Sequence, residues 1–196
     1  MAQRIAERVD DLLDTVLALK RELAVAGNRV AASSPDYVRA LAAAPERLGP
    51  QPLAEPYGDI VPGLTVGFRQ GSRPDLHLRS DPGRGLEIAL RQRTSSTWVT
   101  LEMDWDAAAL REKGRTTLLL RGSAPQPLTL SCLLRCTGAG GASADLPGRA
   151  IELGPQPGFH AVEFVASAGE GLQGCRVIVF CPVTPFSMTL TELSLI

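Results

Sequence analysis

Hydrophobic residues change their spacing once along this chain. Near the start they fall at Ile5, Val9, Leu12, Val16, Leu19, Leu23, Ala26 and Val30, stepping by four and three, so that they share one face of a helix. Branched residues at one repeating position and leucine mostly at the other make the heptad of a coiled-coil seam. Charged residues such as Arg4, Glu7, Asp10, Asp14, Arg21 and Glu22 take much of the remaining surface, while Leu13 and Leu17 add a second apolar stripe. The pattern predicts an amphipathic helix over residues 1–30 that associates with copies of itself through Ile5, Val9, Leu12, Val16, Leu19 and Leu23. Packing of the same stripe on the chain's own β domain is the competing reading, because an isolated helix of this length is marginal without a partner.

Residues 31–63 read as a connector. Ser33, Ser34 and Pro35 precede a short helical stretch from Asp36 to Ala44, and Pro45, Pro50, Pro52, Pro56 and Pro62 follow at a density that favours stiff, extended backbone.

From Leu64 to the end, residues 64–196, the period shortens to two. Leu64, Val66 and Phe68 alternate with Thr65, Gly67 and Arg69, and similar runs recur around Leu76, Leu86, Val99, Leu118, Leu128, Val162, Cys175 and Met188. Turn residues separate them, as in Ser80-Asp-Pro-Gly83, Lys113-Gly114, Thr137 to Ala144 and Pro155 to Gly158. Eight or nine short strands of this kind predict an all-β domain, an antiparallel two-sheet sandwich of jelly-roll type. Residues 104–114, "DWDAAALREKG", break the rhythm with Asp at a helix entry and Gly at its exit, which predicts a short helix crossing between strands.

Composition narrows the function classes. With 196 residues the chain is long enough for one core and an extension. A net charge of −1 and the lack of any basic block remove the electrostatic footprint of nucleic-acid binding. No stretch has the unbroken apolar run of a signal peptide or a membrane span, so the expected location is the cytoplasm, or a phage-like particle released by lysis. The four cysteines, Cys132, Cys136, Cys175 and Cys181, suit a reducing compartment. Within one strand Cys132 and Cys136 are roughly 13 Å apart and cannot bond each other, and no Cys-x2-Cys or adjacent His suggests zinc, so buried reduced thiols are expected.

Candidate chemistry is sparse. His77 and His160 sit in expected strands outside any triad, phosphate-loop or metalloprotease motif. Asp104 and Asp106 could in principle hold calcium, but Asp before a helical turn is a common cap, so no metal, cofactor or catalytic residue is assigned. Trp98 stands out instead. In "TWVTLEMD" the inward set is Val99, Leu101 and Met103, so parity sends Trp98 outward with Thr100 and Glu102, near Arg91 and Arg93. An outward indole among Arg and Glu suits a sugar ring: its apolar face stacks while the charged groups take hydroxyls. The competing explanation is that the connector or another subunit covers it.

The stretch from "GLEIALRQRTSSTWVTLEMDWDAAALREKGRTTLLLRGSAPQPLTLSCLLR" through "HAVEFV" to the final "FSMTLTELSLI" resembles the jelly-roll sandwiches of carbohydrate-binding-module-like and galactose-binding-like domains. That resemblance rests on strand rhythm over residues 64–196 and implies a binding module, not an enzyme. Together with the helix it suggests a bacterial glycan-binding sandwich multiplied into a homo-oligomer, so that weak single sites act through avidity on a surface polysaccharide. The alternative is a structural or assembly protein, such as an accessory spike of a phage-like particle, with no sugar ligand.

Overall fold

The computed structural model describes residues 36–44, 48, 52–81, 83–166 and 171–196. The heptad seam from Ile5 to Leu23 lies outside the described residues. In chain order the strands are β1 (Asp59–Val61), β2 (Leu64–Phe68), β3 (Leu76–Asp81), β4 (Gly85–Leu90), β5 (Val99–Trp105) and β6 (Arg115–Ser123). They continue as β7 (Leu128–Gly138), β8 (Ser143–Pro147), β9 (Ile151–Leu153), β10 (Gly158–Val165), β11 (Leu172–Cys181) and β12 (Phe186–Leu195). All pair antiparallel in two sheets. The first runs β1-β2-β5-β11-β7-β8, with β9 on the far part of β7; the second runs β10-β6-β12-β4-β3.

The two-residue period explains how the sheets meet. Val66, Phe68, Leu101, Val177 and Leu134 point inward from the first sheet, and Leu86, Ile88, Leu118, Leu120 and Leu190 from the second; all are buried in one continuous core. Each such side chain contributes about 2 kcal/mol by leaving water.

Two short helices join this body. Residues Tyr37–Ala42 form α1, capped by the Asp36 carboxylate, which accepts from the Arg39 N–H at 3.2 Å. Tyr37, Val38 and Leu41 are buried in the core, and α1 touches β1 of the first sheet and β3, β4 and β12 of the second, so it fills the space between them. The Tyr37 hydroxyl donates to the Asp104 carbonyl at 3.2 Å, tying the helix to the end of β5. The helix α2 (Ala107–Lys113) carries the chain from β5 to β6 as the sequence predicts: the Asp106 carboxylate caps it and Gly114, at φ +65, ends it.

Three strands go beyond the sequence pattern. Ile60 and Val61 form β1 inside the proline-rich segment, where a two-residue apolar run is too short to declare a period. The tract Thr137 to Ala144 is less of a loop than its glycines suggest: β7 continues to Gly138, a tight turn spans Ala139–Gly141, and β8 starts at Ser143. Most of β8 is exposed, so backbone pairing rather than side-chain burial defines it. Strand β9, with Ile151 and Leu153 buried, is likewise only three residues long.

Candidate functional site

The outward face of the first sheet carries the polar and aromatic groups that converge. On β5 these are Thr100, Glu102 and Asp104, on β2 Thr65 and Gly67, on β11 Arg176 and Ile178, and on β7 Arg135. Strand register sets them in rows: Thr65, Glu102, Ile178 and Leu133 in one, Asp104, Arg176, Arg135 and Asp145 of β8 in the next. From β2 to β8 the face spans four strand spacings, about 19 Å.

Tyr57 closes one end. It occupies the second corner of the turn Glu55-Pro56-Tyr57-Gly58, where its φ of +61 makes it the only non-glycine in the left-handed region among the described residues. Glycine or asparagine normally takes that position, because a Cβ crowds the following carbonyl. The backbone holds it there: Pro56 presets the first corner, and the Tyr57 N–H donates to the Val66 carbonyl at 2.8 Å. Its ring lies over Gly67, within 2.8 Å of where a Cβ would stand, beside the Thr100 hydroxyl and the Glu102 carboxylate. Gly67 thus leaves the hollow into which the Tyr57 ring folds. The ring nonetheless stays 48% exposed. The indole Nε1 of Trp98 donates to the Tyr57 hydroxyl at 3.2 Å, joining the two aromatics across the end of β5.

The charged groups form two linked sets. Arg176 donates from Nη1 to Glu102 at 3.0 Å and from Nε to Asp104 at 2.7 Å. Glu102 is buried, and its other oxygen accepts from the Thr100 hydroxyl at 2.8 Å. Burial alone would weaken the hold of Arg176 on its proton, but the hydrogen bonds to Asp104 and Glu102 outweigh it and keep the guanidinium above its ordinary range. One row further, Arg135 meets Asp145 through two parallel bonds of 2.8 Å, and that hydrogen bonding holds the Asp145 carboxyl below the usual range. Between these sets lies a cleft of about 340 Å³ lined by Glu102, Asp104, Arg135, Thr137, Arg176 and Ile178. A second, apolar cleft of about 480 Å³ lies where β7, β8, β10 and β11 meet, and no charged group lines it among the described residues.

Of the residues singled out from the sequence, Trp98 and Glu102 lie on this one face. Arg91 and Arg93 are exposed in the crossing from β4 to β5. Among the described residues no hydrogen bond joins either to Trp98 or Glu102. Sequence parity missed Tyr57, Arg176, Arg135 and Asp145, which reach the site through cross-strand register. The signals present were Pro56 ahead of Tyr57 and a glycine, Gly67, inside a strand. Among the described residues no group of three or more His, Cys, Asp or Glu is placed to hold a metal ion. No described helix is long and apolar enough to cross a membrane.

No family model matches the sequence, and no curated protein matches it. Solved structures of carbohydrate-binding modules are similar at low identity. The N-terminal cellulose-binding domain of Cellulomonas fimi β-1,4-glucanase C matches at 18% identity and TM-score 0.49, over 74% of this chain and 95% of that one. A family 4 carbohydrate-binding module matches at 16% and 0.46, over 69% and 94%. The family 11 module of the Clostridium thermocellum cellulase Lic26A-Cel5E matches at 9% and 0.47, over 76% and 95%.

Proposed function

We propose that the outward face of the first sheet binds a neutral polysaccharide chain without cleaving it. The observation that carries this reading is Tyr57: a large aromatic side chain kept in a backbone conformation that disfavours it, half exposed, and fixed by Trp98 over a glycine hollow. Such strain persists where the surroundings over-determine it, and it clusters at ligand clamps. An indole and a phenol held together at one end of a polar cleft offer stacking surface to the C–H face of a pyranose, and Glu102, Asp104, Arg135 and Arg176 supply acceptors and donors for hydroxyls. Each of these charges has an opposite partner on the same face. Among the described residues that line the cleft no surplus positive charge is left to attract an acidic polymer, which favours a neutral one.

The heptad helix would multiply the site. Tethering several copies would raise the retention of a weak single site on a repetitive polymer.

Isothermal titration of the intact chain against neutral β-linked and α-linked oligosaccharides, together with a glycan array, tests the reading. Binding in the micromolar to millimolar range that falls at least tenfold in Tyr57→Ala and in Trp98→Ala supports it. Silence on the array, or binding untouched by both substitutions, overturns it and favours an assembly role, with the docking partner sought by pull-down. Light scattering of the intact chain reads the copy number.

A further inference from the structure

Cys136 on β7 and Cys175 on β11 stand directly opposite one another. The kind of pairing follows from the bonds on the other side of β7. The Gly138 N–H donates to the Ala142 carbonyl and the Gly148 N–H to the Cys132 carbonyl, each at 2.8 Å. Even-numbered residues of β7 therefore turn their peptide groups toward β8, and odd-numbered ones, such as Arg135 and Thr137, turn theirs toward β11. Cys136 and Cys175 then form a non-hydrogen-bonded pair, the closer of the two antiparallel kinds, with α-carbons about 4.5 Å apart. That falls within the span of roughly 4.4 to 6.8 Å that a disulfide bridges. Both side chains point to the core side of the sheet, and both thiols are free.

The pair is also asymmetric. Cys136 is half-buried and lines the apolar cleft of about 480 Å³ with Gly138, Ala142, Ala144 and Leu146. Cys175 is buried, is part of the lining of the polar cleft of about 340 Å³ instead, and donates to the Trp105 carbonyl at 3.2 Å. The other two cysteines have no thiol opposite them: Cys132 faces Val179 and Cys181 faces Val99.

We propose that Cys136 and Cys175 are a thiol–disulfide couple, with Cys136 as the thiol that meets the oxidant in the cleft and Cys175 as the resolving one. The oxidant is a low-molecular-weight disulfide such as oxidised glutathione. The Cys136 thiolate attacks one sulfur of that disulfide, forming a mixed disulfide and expelling one small thiolate. The Cys175 thiolate then attacks the Cys136 sulfur, closing the cross-strand bond and expelling the second small thiolate. Two protein thiols become one disulfide, one small disulfide becomes two small thiols, and the protons lost by the cysteines end on the departing thiolates. The bond staples β7 to β11 beside the cleft and is undone by reduction.

The test uses the intact reduced chain, incubated with oxidised glutathione at mildly alkaline pH, trapped with a maleimide and mapped with trypsin. Cleavage after Arg135, Arg149 and Arg176 puts Cys136 and Cys175 on separate peptides, 136–149 and 150–176. The expected result is loss of two thiols, a disulfide joining those two peptides, and recovery of four thiols with dithiothreitol. Cys175→Ser should stop at the mixed disulfide on Cys136. If that variant does not fold, Cys136→Ser gives the second reading, and its Cys175 should stay a thiol. A glutathione adduct that persists on wild-type Cys136, four thiols surviving prolonged oxidation, or a bridge through Cys132 or Cys181 would overturn the proposal.

Discussion

The Trp98 indole donates its one N–H to the Tyr57 hydroxyl at 3.2 Å, although the two residues are 41 positions apart. Tyr57 therefore takes part in two opposed balances, a backbone conformation that costs and a side-chain placement that serves. A left-handed conformation costs a non-glycine residue about 1 to 2 kcal/mol. Tyr57→Gly removes that cost and loses a ring that is 48% exposed. The expected outcome is an unchanged or slightly raised melting temperature with binding reduced at least tenfold. Tyr57→Phe keeps the stacking surface and should lose no more than a fewfold. A residue present only for stability would behave the other way, with the glycine variant melting several degrees lower, so calorimetry beside titration distinguishes the two.

Gly67 carries the complementary expectation. A Cβ there would stand 2.6 Å from the Glu102 carboxylate and 2.8 Å from the Tyr57 ring, and closer still to the Thr100 hydroxyl. Gly67→Ala must displace the ring, break the Thr100–Glu102 bond, or bend β2. Overpacking of this kind costs about 1 to 3 kcal/mol. Because Trp98 loses its acceptor when the ring moves, tryptophan fluorescence should shift along with the lowered melting point. A variant that melts normally with unchanged fluorescence would show that the hollow has slack.

The sandwich was legible in the sequence because alternation such as Val99, Leu101 and Met103 marks one face of a strand whatever it pairs with. Parity also placed Trp98 and Glu102 on the opposite face. It could not say which strands are neighbours. Arg176 reaches Glu102 and Asp104 only because β11 lies beside β5, across more than seventy residues of chain, and Arg91 and Arg93, close to Trp98 in sequence, fall in a crossing loop instead. The cysteines teach the same lesson. Spacing within a strand separates Cys132 from Cys136, whereas the approach of Cys136 to Cys175 depends on register between strands. The short helix at Tyr37–Ala42 was readable as a helix, but its burial was not. Three apolar residues amid prolines look like a connector until both sheets are there to cover them.

The two arginine–carboxylate sets on the face should differ in worth. Glu102 is 7% exposed and takes bonds from both Arg176 and Thr100, so Glu102→Gln weakens a desolvated, charge-assisted pair and should destabilise the fold by about 1 to 2 kcal/mol. Asp104 still holds Arg176, which keeps the loss below that of an orphaned buried charge. Arg135 and Asp145 are both exposed, and solvent screens them, so Asp145→Asn should change stability by no more than about 0.5 kcal/mol despite its two parallel bonds of 2.8 Å. Urea titrations of the two variants in the same buffer read the difference, and added salt should narrow it little, since the Glu102 pair is the one shielded from ions.

Alkaline conditions should loosen the sandwich through its thiols. Burial pushes Cys181 and Cys175 from an ordinary value of 9.0 up to about 12, and Cys132 to about 11. Burial likewise raises Tyr37 from 10.0 to about 12, with Asp104 adding to the shift. In each case the folded chain keeps a proton that the unfolded chain gives up earlier. Raising the pH above the unfolded values therefore favours unfolding: the stability is fully present below about pH 9 and is lost progressively toward the folded values. The urea midpoint, measured under reducing conditions, should hold steady into mildly alkaline buffer and then fall between about pH 9 and 12. Cys181→Ala deletes one of these groups, at a cost of about 1 kcal/mol at neutral pH from the small void it leaves. Its midpoint should start lower but decline less steeply, so the two curves converge as the pH rises. Parallel curves would place the alkaline loss elsewhere than in the buried thiol of Cys181.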